Sequence, residues 1–314
     1  MSGKKVGFIK GDMGGNRVIL LDGREIPENR ELEKALDALD PARLEGHQAG
    51  VLYEGEEENE ISAKIITITG ETYISMCGGL TQILGQALPE DSFLDDFSLV
   101  VSEPKTEITL RTDAGPVGIT VEMEGGDVLD TRTGMNSFVE ECYDIGITAV
   151  NTAGVRSYKV GDAHCVEVDD IYEEYPEADL ESIGETTLKI LRKIQRDYLE
   201  QFYPDSPGMT FSVYDRNPRR GGDVRVIFPH QVVTGHVEPS CGTGTTVIGL
   251  AMVEKGQLRQ NGTARLIAES GGGVDRVGGP EKTNLELEIR AGKVKSASFG
   301  HDSVEIIAVG DLWL

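Results

Sequence analysis

Positive charge is what this chain most lacks: 30 lysines and arginines stand against 54 aspartates and glutamates, a net charge of −24. A nucleic-acid partner needs clustered cations along its phosphate track, so nucleic acid is excluded, and an anionic membrane surface with it. Long apolar runs are also missing, and no stretch reaches the roughly 20 residues of a bilayer-spanning helix. The N-terminus, Met1-Ser-Gly-Lys-Lys, runs straight into strand-like Val6-Gly-Phe-Ile with no apolar core or small-residue cleavage site. A signal peptide is therefore not expected, and a cytoplasmic location is. The four cysteines, at 77, 142, 165 and 241, are too few and scattered for a disulfide framework. None forms a CxxC pair or a zinc-like spacing with histidine, so a metal enzyme is not expected. Aromatics make up only 6% of the chain against 39 glycines, which favours short strands joined by tight turns over a helical bundle.

What is present falls into two similar halves. In the first, Val6–Lys10 and Val18–Leu21 flank a glycine turn, 29–39 is amphipathic and helical, and 62–76 alternates as a strand up to Cys77. The period then changes. Leu80, Ile83, Leu84, Ala87 and Leu88 recur at helical spacing until Pro89 ends the run. Strand pairs follow over 98–124, with turn signals at Asp113-Ala-Gly and Glu124-Gly-Gly. Residues 136–159 show no strong periodic element, and the domain crossover is placed there. The pattern restarts with a strand at 164–169, a helix at 180–200 and strands at 210–214 and 223–228. Cys241-Gly-Thr-Gly-Thr then opens an apolar helix that ends near Gly256. Strands at 263–268, 283–289 and 294–299 and a closing strand from Ile306 complete it. The expected domains are 1–145 carrying Cys77, with a strand from about 297 to 314 returning to it, and 146–296 carrying Cys241. The two cysteines are 164 residues apart, about half the chain.

A cysteine followed by glycine at a helix start has a definite chemistry. The first turn of a helix offers unpaired N–H groups and partial positive charge. A sulfur placed there has its thiolate favoured and becomes a usable base. Adjacent glycines let a ligand reach the bare backbone, so the same N–H groups can hold a carboxylate. Gly78 and Gly79 supply this at Cys77, and Gly242, Thr243 and Gly244 at Cys241. Cys142 and Cys165 lack the setting and read as packing residues.

Glu238-Pro-Ser-Cys-Gly-Thr-Gly-Thr resembles the second catalytic motif of proline racemases and diaminopimelate epimerases, and Met76-Cys-Gly-Gly-Leu-Thr resembles the first. Lys10-Gly-Asp-Met-Gly-Gly-Asn16 is similar to the epimerases' opening loop, and Gly161-Asp-Ala-His-Cys-Val to their Gly-Asn-Pro-His-Cys-Val stretch. The matches keep their order from about residue 5 to 314. The resemblance implies an α/β (α+β) fold of two pseudo-symmetric lobes, each a curled sheet or barrel around a central helix. It implies a racemase or epimerase of amino acids without pyridoxal phosphate or any other cofactor. Cys77 and Cys241 would be its acid–base pair, and a small molecule with an α-carboxylate its partner; a homodimer is left open. Asn16, Asp162 and His164 join the glycines and Thr243 as expected substrate contacts, with His230 and His236 as weaker candidates.

The departures narrow the substrate. Gly79 stands where proline racemases have His and diaminopimelate epimerases Asn; Asp162 and Ala163 replace the epimerases' Asn and Pro. The epimerases' Glu-Arg-Gly run before the second cysteine is absent, as is the racemases' Asp-Arg-Ser-Pro. Both familiar substrates are disfavoured. Met13-Gly-Gly, Cys77-Gly-Gly-Leu and Val309-Gly-Asp-Leu-Trp also resemble methylaconitate and methylitaconate isomerases. The alternative activity is therefore a C=C shift in an unsaturated di- or tricarboxylic acid.

Overall fold

A computed structural model describes residues 4–314 apart from 69–71, 75, 206–208, 230–236 and 275–279, so His230 and His236 lie outside the described residues. Contacts divide the chain into two compact units, Met1–Gly134 with Ser303–Leu314, and Met135–Asp302.

The first unit runs β1 (Lys5–Met13), β2 (Asn16–Asp22), α1 (Glu31–Leu39), β3 (Gln48–Glu54), β4 (Glu60–Thr67), β5 (Thr72–Ile74), α2 (Gly78–Gln86), β6 (Lys105–Thr112), β7 (Gly115–Glu124) and β8 (Asp127–Gly134). The second holds α3 (Asn136–Ile145), β9 (Ile147–Thr152), β10 (Val155–Val160), β11 (Ala163–Glu167), α4 (Val168–Glu174), α5 (Glu185–Phe202), β12 (Phe211–Asp215) and β13 (Val224–Pro229). It continues with β14 (Val237–Glu238), α6 (Gly242–Glu254), β15 (Gly262–Ser270), β16 (Lys282–Arg290) and β17 (Lys293–His301). The last strand, β18 (Val304–Trp313), lies antiparallel to β1 in the first unit.

The same succession of pairings builds both units. In the first, β1 and β2 form a hairpin, β2 and β3 are parallel across α1, and β3 and β4 antiparallel. There β4 and β6 are parallel across α2, and β6, β7 and β8 form a meander. In the second, β10 and β11 form the hairpin, β11 and β12 are parallel across α4 and α5, and β12 and β13 antiparallel. Here β13 and β15 are parallel across α6, and β16 pairs with β15 and β17. Even the strand added beside each hairpin recurs, β18 on β1 and β9 on β10. By this correspondence α2 and α6 occupy the same place in the repeat.

Each is wrapped by its sheet. On α2 only Gly78 and Gln86 are not buried, and its small residues mark the closest strands. A β-carbon at Gly50 of β3 would meet Leu80, one at Gly11 of β1 would meet Ile83, and one at Gly85 would meet Thr131 of β8 and Val121 of β7. For α6, which is apolar all round, Gly242 faces Phe299 of β17, Gly244 faces Phe228 of β13, and Gly249 faces Leu285 and Leu287 of β16. The outer faces are covered differently. Ala35, Ala38 and Leu39 of α1 pack on Ile19, Leu21, Ala49 and Val51, whereas Ile190, Leu191 and Ile194 of α5 pack on Val166, Phe211, Val213 and Ile227.

Residues 136–159, which showed no strong period, form α3, β9 and most of β10. Only Val139 and Cys142 of α3 are buried, too narrow a stripe to signal a helix, and β9 is half exposed. The Asn136 side chain accepts from the Ala297 N–H and the Tyr143 hydroxyl from the Val294 N–H, which ties α3 to β17. The strand read at 164–169 is shorter, because Val168 already begins α4.

Candidate active site

Cys77 and Cys241 are the N-cap residues of α2 and α6. Their backbones are nearly superimposable, φ −144° and ψ 113° at Cys77 against φ −152° and ψ 115° at Cys241. In each case the sulfur accepts the N–H three residues on, from Leu80 and from Gly244, at 3.3 Å. Serine, threonine or aspartate normally fills this position, donating an oxygen lone pair to the first turn. Here sulfur takes that place, under the positive end of the helix dipole, where a thiolate is favoured over a thiol. Cys77 is 5% exposed and Cys241 somewhat more open. The other two cysteines differ in kind: burial pushes the Cys142 thiol up to about 12 and the Cys165 thiol higher still, as for packing residues.

In the first unit Cys77 stands at the margin of the apolar core, next to buried Asn16 and part-buried Gln48. Asn16, 7% exposed, opens β2 after the Gly14-Gly15 turn, which the Asp12 carboxylate holds by accepting the Gly15 N–H at 2.7 Å. A β-carbon at Gly79 would lie 3.2 Å from Asn16 Nδ2 and from Val18 Cγ2. The missing side chain therefore lets Asn16 sit directly on the helix start, and its Oδ1 has no hydrogen-bond partner among the described residues. Gly78, the first helical residue, is part-exposed. A further group is contributed by Gln48 at the head of β3, whose Oε1 accepts the Cys77 S–H at 2.6 Å. Nothing in Gly46-His-Gln-Ala marked it. Its placement follows from the parallel pairing of β3 with β2, which sets Gln48 opposite Val18 on the face turned to α2.

In the second unit Gly242 and Gly244 are buried and Thr243 is part-exposed. Glu238, three residues before Cys241, has its carboxyl pushed up to about 7 by burial. The residue matching Asn16 in the β10–β11 hairpin is Ala163, since Met13 pairs with Asn16 and Val160 with Ala163. Asp162 lies in the preceding turn with its side chain in solvent.

His164 is not where a ligand contact would be. Strand residues alternate between faces. Ser212, whose hydroxyl donates to the Gly244 carbonyl, and its neighbour Cys165 face α6, so His164 and its partner Phe211 face α5. There His164 is fully buried between the rings of Tyr198 (4.1 Å) and Phe211 (4.9 Å), with Nε2 against Thr152 Oγ1. It is a core histidine. Burial pushes its pKa down to about 3. The unfolded chain protonates it near pH 6.5, so its stabilising contribution is complete above that pH and is lost as pH falls toward 3, by up to about 1.4 kcal/mol per unit. Replacing His164 by Phe should therefore flatten the fall in unfolding free energy between pH 6.5 and 4.5, measured by urea titration. Glu167, held down to about 2 against its burial by hydrogen bonds from Lys255, Gln257 and Arg216, loses its contribution only below about pH 4.5. An unchanged slope in the variant would rule out a neutral buried His164.

Among the described residues no group of three His, Cys, Asp or Glu is placed to hold a metal ion, and no helix is long and apolar enough to cross a membrane.

The architecture is the fold of the proline racemases, hydroxyproline epimerases and PhzF-family proteins. A hydroxyproline epimerase from Agrobacterium vitis, solved with trans-4-hydroxy-L-proline, matches with a TM-score of 0.67 at 13% identity over 99% of this chain and 93% of that one. A methylitaconate-delta-isomerase matches at 0.65, with 14% identity over 99% and 96% of the two chains. A PhzF-family phenazine biosynthesis protein from Bacillus anthracis matches at 0.61, with 12% identity over 99% of each. No family model matches the sequence, and no curated protein does.

Proposed function

We propose that the protein is a cofactor-independent isomerase that inverts Cα of an amino acid by two-base proton transfer between Cys77 and Cys241. The observation that carries this is the matched pair of cysteine N-caps, one at the same point of each repeat, with the same backbone angles and the same 3.3 Å N–H···S bond. Stereoinversion needs two bases on opposite faces of one carbon, because a single base returns the proton to the face it left. A duplicated unit that presents one sulfur each is suited to that requirement. In this reading one thiolate takes the α-proton while the other thiol delivers one from the opposite side. The N–H groups at Gly78, Gly79, Gly242 and Thr243 hold the α-carboxylate and spread the charge of the carbanion, while the Gly244 N–H stays on the Cys241 sulfur. Asn16, buried beside Gly79 with an unused acceptor, contacts the substrate's ammonium or a ring N–H.

The likeness to methylitaconate-delta-isomerase supports a second reading, transfer of a proton along an allylic system. One experiment separates the two. The protein is incubated in D₂O with a panel of L-amino acids, including hydroxyprolines, and of unsaturated di- and tricarboxylates, and products are followed by NMR and chiral chromatography. The proposal expects deuterium at Cα together with the opposite configuration. Exchange at an allylic carbon with a shifted double bond would establish the second reading, and no exchange with any compound would refute both.

A further inference from the structure

His301 ends β17 at the start of α6, and its role rests on the first turn of that helix holding the substrate's carboxylate, as in the proposed reaction. The strand ends fix its place. A β-carbon at Gly244 would meet Phe228, so β13 finishes beside the start of α6. β15 is parallel to β13, β16 antiparallel to β15, and β17 antiparallel to β16. The end of β15, the start of β16 and the end of β17 therefore lie at that same end of the unit. Alternation fixes the face. Phe299 meets Gly242 and its strand partner Leu285 meets Gly249, so both point at α6. Two residues further, His301 pairs with Thr283 in unbroken register, and both are buried on the same side. His301 thus stands roughly 7 Å beyond Phe299 along the strand, on the side of Gly242 where Cys241 is.

An imidazole presents an N–H in either neutral tautomer and a full charge when protonated. A carboxylate has two oxygens and room for about four hydrogen bonds. At Cys241 the Gly244 N–H is taken by the sulfur, which leaves Gly242 and Thr243 to serve a carboxylate from the helix side. His301 can meet the same anion from the wall of β17. The β10–β11 hairpin adds a methyl group, Ala163, where the first unit has Asn16. Glu238, paired with Phe228, and Glu281, just before β16, bring carboxyl groups to this end of the unit. A carboxylate beside an imidazole favours its protonated form. A local cation matters here because a net charge of −24 opposes the entry of any anion.

We propose that His301 donates a hydrogen bond to the substrate's α-carboxylate, completing with the Gly242 and Thr243 N–H groups the cradle that sets this carboxylate against Cys241. The substrate must then carry a free acid at the reacting carbon, and its amide or ester is a poor ligand. The same hydrogen bond strengthens as the α-proton leaves, because charge moves from the carbon onto the carboxylate oxygens. His301 moves no proton in this role. It holds and orients the acid while Cys241 carries out the proton transfer.

Iodoacetate and iodoacetamide test this at Cys241 in a Cys77→Ser background, with labelling rates read by peptide mass spectrometry. The reacting carbon of iodoacetate is bonded to a carboxylate, as the substrate's α-carbon is, whereas that of iodoacetamide is bonded to a neutral amide of similar size. A change in thiolate content or in access alters both rates alike, so their ratio reads carboxylate recognition alone. With His301 present the iodoacetate to iodoacetamide ratio at Cys241 should exceed that of a small neutral thiol. His301→Phe, which keeps a planar ring and loses the donor, should lower the ratio about tenfold, the loss of one charge-assisted hydrogen bond. His301→Gln, which retains an N–H, should lose less. Thermal melts establish that each variant is folded, and His301→Leu replaces His301→Phe where the larger ring does not fit. An unchanged ratio in His301→Phe or His301→Leu, or a parallel fall with both reagents, would overturn the proposal. Labelling does not depend on turnover. A His301-dependent ratio without inversion of any amino acid would refute only the proposed reaction, and inversion with an unchanged ratio would refute only the role of His301.

Discussion

Cys241→Ala and Cys77→Ala should each lower inversion of the true substrate by on the order of 10³-fold or more, with the double variant no worse than either. General acid–base groups contribute about 10²–10⁴ each, and groups that act as a unit do not add. One thiolate alone can still remove a proton and return it to the same face. Each single variant is therefore left with, at most, slow solvent exchange on one enantiomer and no inversion. The two variants should differ in which enantiomer that is. Chiral chromatography together with the NMR signal of Cα–H reads both quantities at once. Additive losses, or inversion that survives in either variant, would be incompatible with an opposed pair.

Gly242→Ala should damage the protein through packing. A β-carbon there would lie 2.3, 2.5 and 2.6 Å from three ring atoms of Phe299, which is fully buried in β17. Neither side has room to move: the ring belongs to the core around α6, and Gly242 is the first residue of that helix. Overpacking of this kind costs about 1–3 kcal/mol and sometimes more. In a chain of this size that is a fall in Tm of roughly 2–4 °C for each kcal/mol. Because Gly242 directly follows Cys241, the shift that relieves the clash also moves the cap, so activity should fall further than stability alone explains. Phe299→Leu in the same chain should restore part of both, a coupling that a double-mutant cycle measures. Gly118→Ala is the control, since a β-carbon at Gly118 meets nothing within 4 Å. Its effect should stay within a few tenths of a kcal/mol. Equal effects at Gly118 and Gly242 would show that helix or strand propensity, and not the Phe299 contact, is responsible.

The two cysteine helices were legible because three signals coincide in each: the change from strand to helical period, the glycines after the cysteine, and an apolar run with a defined end. Each signal is local, so a single sequence carries it. The succession of strands and helices showed two similar halves, and the α/β fold was what the motif resemblance implied. His164 shows the limit. The alternation of His164 and Cys165 was visible, but which of them faces the central helix depends on α5 packing on the other side of β11, a contact made by residues some 30 positions away. A motif resemblance suggested a ligand contact; burial between two rings makes it a core residue. Asp162, expected beside it, occupies an exposed turn.

Gln48 was illegible for a related reason. It opens β3 between Gly46 and Gly50 in a stretch with no change of period to mark it. Only the parallel register of β2 and β3, itself set by the length of α1 and its connections, brings it to Cys77. The absence of a strong signal over 136–159 had a different cause. The elements there bury so little, two side chains in α3 and one face of β10, that hydrophobic periodicity has almost nothing to report.

The claim on which the rest depends is that Cys77 and Cys241 act on one carbon, which requires their sulfurs to approach each other when the site is formed. Mild oxidation with diamide, followed by alkylation under denaturing conditions and peptide mapping without reduction, tests this most directly. The account predicts one new cross-linked species joining the Cys77 and Cys241 peptides, with loss of activity in proportion and recovery on reduction, while Cys142 and Cys165 stay alkylatable. Cysteines 77 and 241 that remain separately alkylatable, or that pair with Cys142 or Cys165 instead, would contradict it.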